Sequence, residues 1–116
     1  MLDKDIYYVD DQILSLIQDK LRLIETDIWH ELYIESATGK YWKLDKADRL
    51  QVRFLIRIQD IRSWKEFDDP ELKVELLKIH RGMSNETCAW DSCGNPALNR
   101  LAFCAQHAFH EMGIRK

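Results

Sequence analysis

Apolar positions recur at helical spacing in YVDDQILSLIQDKL, where Ile13, Leu14, Ile17 and Leu21 share one face and Asp10 or Asp11 stands where a cap is needed. The pattern then changes period. In WHELYIESATGKYWKL two aromatic-rich runs flank Ala37-Thr38-Gly39, a small turn whose glycine is free to take positive φ. That predicts a β-hairpin with Leu32 and Ile34 on one face and Trp42 and Leu44 on another. RLQVRFLIRIQDI satisfies two templates: Val52, Phe54, Ile56 and Ile58 alternate with Arg53, Arg57 and Gln59, while Leu50, Phe54, Ile58 and Ile61 fit a helix that Asp45 would cap. The helix leaves Val52 and Ile56 on the wrong face. The strand misplaces only Leu55, and the β-branched content agrees with it, so a third strand within 50–59 is expected.

DDPELKVELLKIHRG reads as a helix over 70–81. Asp69 caps, Pro70 opens, Glu71 suits the positive end of the dipole, Lys78 and Arg81 the negative end, and Gly82 stops the chain. Leu72, Leu76 and Ile79 are the expected buried stripe, and His80 complements the dipole in the last turn. MSNET, small and polar, then marks the expected boundary. The fold class that follows is α+β: a small antiparallel sheet with flanking helices in residues 1–82, and a C-terminal module, 83–116, docked on it through Leu98, Leu101, Phe103 and Phe109.

At 116 residues, with 46% hydrophobic and 32% charged positions, the chain has the composition of one soluble globular domain with an appendage. No apolar run is long enough to span a bilayer, and MLDKDIYYVDD is acidic without the apolar core of a secretory signal. A cytoplasmic location is expected. Charge is unevenly spread: residues 1–45 hold ten acidic and five basic side chains, residues 46–82 seven and nine, and residues 83–116 three of each. An acidic N-terminal part repels phosphate and attracts a basic partner.

All three cysteines fall in CAWDSCGNPALNRLAFCAQH, with the spacing Cys88-x4-Cys93-x10-Cys104-x2-His107. Two close pairs of thiolate and imidazole donors joined by a short loop form a tetrahedral Zn(II) site, each pair converging on the ion from one tight turn. Gly94 would relieve crowding after the second cysteine, Pro96 would stiffen the exit, and Cys104 would stand at the entry of a short helix ending near Gly113. His110 is also within helical reach of Cys104 and is the alternative fourth ligand. A disulfide leaves one cysteine unpaired and gives no reason for the histidine. Four protein ligands close the shell, so the zinc is expected to be structural and not catalytic.

Other chemistry is sparse. The four glycines, Gly39, Gly82, Gly94 and Gly113, are scattered, so no phosphate loop forms, and no nucleophile elbow is present. His30 beside Glu31 reads as a polar pair on the outer face of the hairpin before it reads as an acid–base group. No enzyme is expected. Trp29, Tyr33, Tyr41 and Trp42 cluster within fourteen residues, and with Asp27, Glu31 and Glu35 they suggest an aromatic, acid-rimmed face for a protein partner. The competing reading is a zinc-ribbon-like nucleic-acid binder or transcription regulator using Arg49, Arg53, Arg57 and Arg62 with Arg100, Arg115 and Lys116.

DIWHELYIESATGKYWKL resembles a pattern in one family of bacterial immunity proteins, the partners of polymorphic and contact-dependent toxins. The matching positions are Trp29, Leu32, Tyr33, Gly39, Tyr41, Trp42 and Leu44, which follow the W-x-x-L-Y … G-x-Y-W-x-L hairpin of that family. The resemblance implies a small cytoplasmic protein that binds a toxin tightly, such as a basic nuclease, and does no chemistry of its own.

Overall fold

The computed structural model describes residues 2–47 and 52–116, so Arg49 and Leu50 lie outside the described residues. The fold is α+β, and the chain divides into two compact units, Met1–Asp68 and Asp69–Lys116.

The first unit is a five-stranded antiparallel sheet. Its strands are β1 (Ile6–Tyr8), β2 (Leu21–Thr26), β3 (His30–Glu35), β4 (Tyr41–Asp45) and β5 (Phe54–Ile58), in the order β1-β5-β4-β3-β2. Helix α1 (Asp11–Lys20) follows β1 and is capped by Asp10, whose carboxylate accepts the Ile13 N–H at 2.8 Å. The helix stops one residue before Leu21, which the apolar spacing assigned to it. Leu21 is the first residue of β2, and it still buries beside Ile13 and Ile17.

The hairpin is β3–β4, with Tyr33 opposite Trp42 and Leu32 opposite Lys43. Gly39 (φ 75°) makes the turn. Residues opposite each other share a face, so Leu32 and Ile34 do lie across the sheet from Trp42 and Leu44. The ambiguous segment is a strand at Phe54–Ile58. Leu55, its apparent misfit, is buried with Trp42, Leu44, Ile13 and Ile17 under α1, while Phe54, Ile56 and Ile58 bury on the opposite face.

That second face is covered by the return after β5, a 3-10 turn at Ile61–Ser63 followed by Trp64 and Phe67. Lys43 is 6% exposed and fixes the cover, donating from Nζ to the carbonyls of Lys65 at 3.0 Å and Phe67 at 2.7 Å. The buried Trp64 indole donates to Glu25 Oε2 at 2.8 Å. A buried ammonium is tolerable only with such acceptors, so Lys43 ties the cover down where an apolar residue would only touch it.

The second unit comprises α2 (Pro70–Arg81), a two-stranded sheet of β6 (Met83–Thr87) and β7 (Pro96–Leu98), and α3 (Ala105–His110). The termini of α2 follow the expected chemistry: Asp69 accepts the Leu72 N–H at 3.1 Å, and Gly82 (φ 73°) closes the helix. A Cβ on Gly82 would stand 3.0 Å from Asn99 Nδ2, so both the backbone angle and the neighbour select glycine. The buried stripe is not the expected one. Val74 and Leu77 face inward, Leu72 and Leu76 are half-buried, and Ile79 is 71% exposed. Val74 and Leu77 join Leu98, Ala105, Ala108 and Phe109 in one buried cluster, with Leu101 and Phe103 packed against it. The residues expected to dock a module on the sheet domain are therefore this unit's own core. The division falls at 68/69 and not at 82/83, because α2 packs with the cysteine segment. MSNET, read as a boundary, is β6.

Among the described residues no helix is long and apolar enough to cross a membrane.

Candidate metal centre

Each member of the cysteine–histidine set is placed by a separate local device. The Cys88 N–H donates to the Asn95 carbonyl at 2.9 Å, and the Ala89 N–H to Ala102 at 2.8 Å, so two backbone bonds hold the loop ends together. Cys93 closes a four-residue turn by donating to the Trp90 carbonyl at 3.1 Å. Ser92, at φ 62°, supplies the left-handed residue of that turn. Gly94 does not have that role: its φ is not positive and a Cβ there would meet nothing within 4 Å. Cys104 is the N-cap residue of α3, and His107 follows within its first turns. Pro96 opens β7, where its missing N–H leaves the short strand intact.

These devices bring Cys88, Cys93, Cys104 and His107 together, their ligand atoms all within 4.8 Å of one another, a set that could hold one metal ion. Sγ of Cys88 and Sγ of Cys104 lie 3.4 and 3.3 Å from His107 Nδ1, and Sγ of Cys93 lies 3.9 Å from Sγ of Cys104. Between the two histidine candidates, the set contains His107, through Nδ1. His110 is packed edge-on to Phe109, at 5.2 Å between ring centroids. Cys88 and Cys104 are buried, and Cys93 and His107 half-buried. Trp90 stacks on the His107 ring, 4.8 Å between centroids at 15°, and meets Phe103 edge-on, so indole covers the imidazole.

The electrostatics favour a thiolate at one position. Burial opposes ionisation of Cys88, but the N–H groups of Cys104 and Trp90 and the contacts with His107 and Cys93 outweigh it and lower the thiol from 9.0 to about 6. At Cys93 the Asn95 N–H favours the thiolate, yet burial and the adjacent Cys88 and Cys104 sulfurs prevail and raise its pKa. Four soft or borderline donors crowded into one space are a set that could hold one metal ion.

The residues expected to make a partner-binding face are not gathered on one surface. Trp29 lies in the β2–β3 connection and is 70% exposed. Asp27 shapes that turn, accepting the N–H groups of Trp29 at 2.9 Å and His30 at 2.8 Å. Although burial works the other way, those donors and the nearby His30 and Lys43 hold its carboxyl below the ordinary carboxylate range. Glu31, Tyr33 and Glu35 alternate along β3 on the α1 side, and Tyr41 lies on the opposite face of β4. Glu35 is 5% exposed and accepts the buried Trp42 indole N–H at 3.2 Å, which removes it from any surface. Tyr33 Oη donates to Glu31 at 3.4 Å. His30 is no outer-face residue: Nε2 lies 3.3 Å from Asp45 and Nδ1 3.7 Å from Asp27. Of the arginine series, Arg53 donates to the Asp45 carbonyl, Arg57 pairs with Asp5 and Arg62 with Asp60. The sequence reading missed the exposed apolar residues Leu23 and Ile24 on β2 and Ile28, which precedes Trp29.

No protein-family model, no curated protein and no solved structure matches this chain.

Proposed function

We propose that this chain is a non-enzymatic protein-binding inhibitor, an immunity protein that neutralises a cognate toxin, whose C-terminal unit is held folded by a structural Zn(II) ion. The observation that carries the metal is the spacing of its donors. A tetrahedral zinc with Zn–S of about 2.3 Å and Zn–N of about 2.0–2.1 Å sets S···S edges of about 3.8 Å and S···N edges of about 3.6 Å. The observed 3.9, 3.4 and 3.3 Å lie close to those edges, so the donors need only small adjustments to close on one ion. Thiolate and imidazole donors suit zinc over calcium or magnesium, and four protein ligands leave no position for a reacting water. The ion's work is then cohesion.

The binding role is supported by the acidic balance of residues 1–45 and by the hairpin itself, whose strands β3 and β4 carry Leu32, Tyr33, Tyr41, Trp42 and Leu44 of the W-x-x-L-Y … G-x-Y-W-x-L pattern, with Tyr33 opposite Trp42. The nucleic-acid alternative draws no such support, since Arg53, Arg57 and Arg62 are paired within the chain. Metal analysis of the purified chain tests the first half: one zinc per chain, lost in Cys104→Ser, is expected, and a metal-free folded chain refutes it. Affinity capture from lysate of the native host, with and without nuclease, tests the second. A stoichiometric toxin-like protein that survives nuclease is the expected result; nucleic acid alone, lost on treatment, would refute it.

A further inference from the structure

The β2–β3 connection holds two large apolar side chains in water: Ile28 is 78% exposed and Trp29 70%. A tryptophan carries some 150–250 Å² of surface worth burying, and folding has left most of this one unused. A loose loop does not explain it. Asp27 holds the N–H groups of Trp29 and His30, its own N–H donates to the His30 carbonyl at 2.9 Å, and the Trp29 carbonyl accepts the Lys46 N–H at 2.9 Å. The His30 ring, between Asp27 and Asp45, fastens the base of the turn. Leu23 and Ile24 are also exposed, on β2, the strand that leads into this connection and the last in the sheet order. Residues 19–34 carry four carboxylates against two cations.

We propose that this tip, Ile28 and Trp29 with Leu23 and Ile24, is the docking surface for a protein partner that offers Trp29 an apolar pocket ringed by lysine and arginine. The proposal rests on the protein-binding reading above and names the surface it uses. An aromatic anchor already fixed by its turn loses little conformational freedom on binding, and such anchors dominate interface energetics. Asp27 sits in the turn itself and Glu31 stands two residues past Trp29 on β3, so carboxylates flank the anchor on both sides in the chain and select a basic surface.

The test places a photo-reactive benzoylphenylalanine at position 28 of the full chain and, separately, at position 79, equally exposed on α2. Both are irradiated in lysate of the native host, the cross-linked protein is sequenced, and its affinity for purified chains is measured at low and high salt. The expected result is a cross-link from position 28 to a lysine- and arginine-rich surface. Trp29→Ala then weakens binding by about 30-fold or more, Trp29→Phe restores part of it, Ile79→Ser changes it little, and salt weakens it. A partner that cross-links only from position 79, or that tolerates Trp29→Ala, overturns the proposal and leaves the protein-binding reading standing. A cross-link to a second copy of the chain, or a salt-insensitive partner, also overturns it. No cross-link from either position counts against both.

Discussion

The sheet unit and the C-terminal unit reach a closed interior by different means. In the first, Leu2, Ile13, Ile17, Leu21, Trp42, Leu44 and Leu55 bury against one another on one face, and the Trp64 segment covers the other. In the second, the buried cluster has six members, two of them alanines, and its strands have only five and three residues. A core that small is marginal without a cross-link, and four clustered donors supply the place for one. The comparison teaches where cohesion resides: dispersed over many side chains in one unit, concentrated at a point in the other.

The strongest way to break the contrast is to remove the metal. Zinc binding to such modules is worth on the order of 10 kcal/mol at neutral pH and is coupled to folding. Chelation is therefore expected to collapse the amide dispersion of residues 69–116 while the sheet unit's resonances persist. Dispersion retained in both would end the distinction. Acid provides the same test by another route. The Cys88 pKa is lowered from 9.0 to about 6 in the folded chain, so its thiolate's stabilising contribution is complete above 9, fades as pH falls and is lost below about 6. Protons compete with a metal for the same thiolates, so a chromophoric chelator should detect zinc release on acidification, with the metal retained at neutral pH.

The counterpart in the sheet unit is Trp42→Ala. A fully buried tryptophan reduced to a methyl costs about 3–5 kcal/mol, read from denaturant unfolding, with zinc content unchanged. Glu35→Ala leaves the Trp42 indole N–H buried without its acceptor and is expected to cost about 1–3 kcal/mol. Glu35→Gln keeps an acceptor and should cost less in the same melt. The smallest effects sharpen the contrast. Asp10→Ala and Asp69→Ala each remove one helix cap at about 1 kcal/mol, the former lowering the sheet unit's midpoint and the latter that of the zinc unit.

What the sequence made legible was local chemistry. Asp69, Pro70 and Gly82 bound α2 without reference to the rest of the chain, Gly39 sets the hairpin turn, and the clustered cysteine and histidine donors declare themselves by spacing. What stayed hidden depends on a partner elsewhere in the chain. Apolar residues occupy positions 72, 74, 76, 77 and 79 of α2, enough for two stripes, and Leu98, Ala105, Ala108 and Phe109 select Val74 and Leu77. Strands β1, β6 and β7 are three to five residues long, too short for a period to show. β2 went unread: its first residue, Leu21, also satisfies the helical spacing, and RLIET after it carries no clear period. Glu35 read as a surface carboxylate because nothing in the sequence reveals that an indole seven residues away would claim it.

The Trp90 ring lying against His107 has an optical consequence. A paramagnetic cobalt ion bound through that imidazole would lie near the indole and would be expected to quench its emission. One of the four tryptophans would darken on loading and brighten on release. The molecule would thus carry a luminescent gauge of cobalt loading, readable in a cuvette without a label.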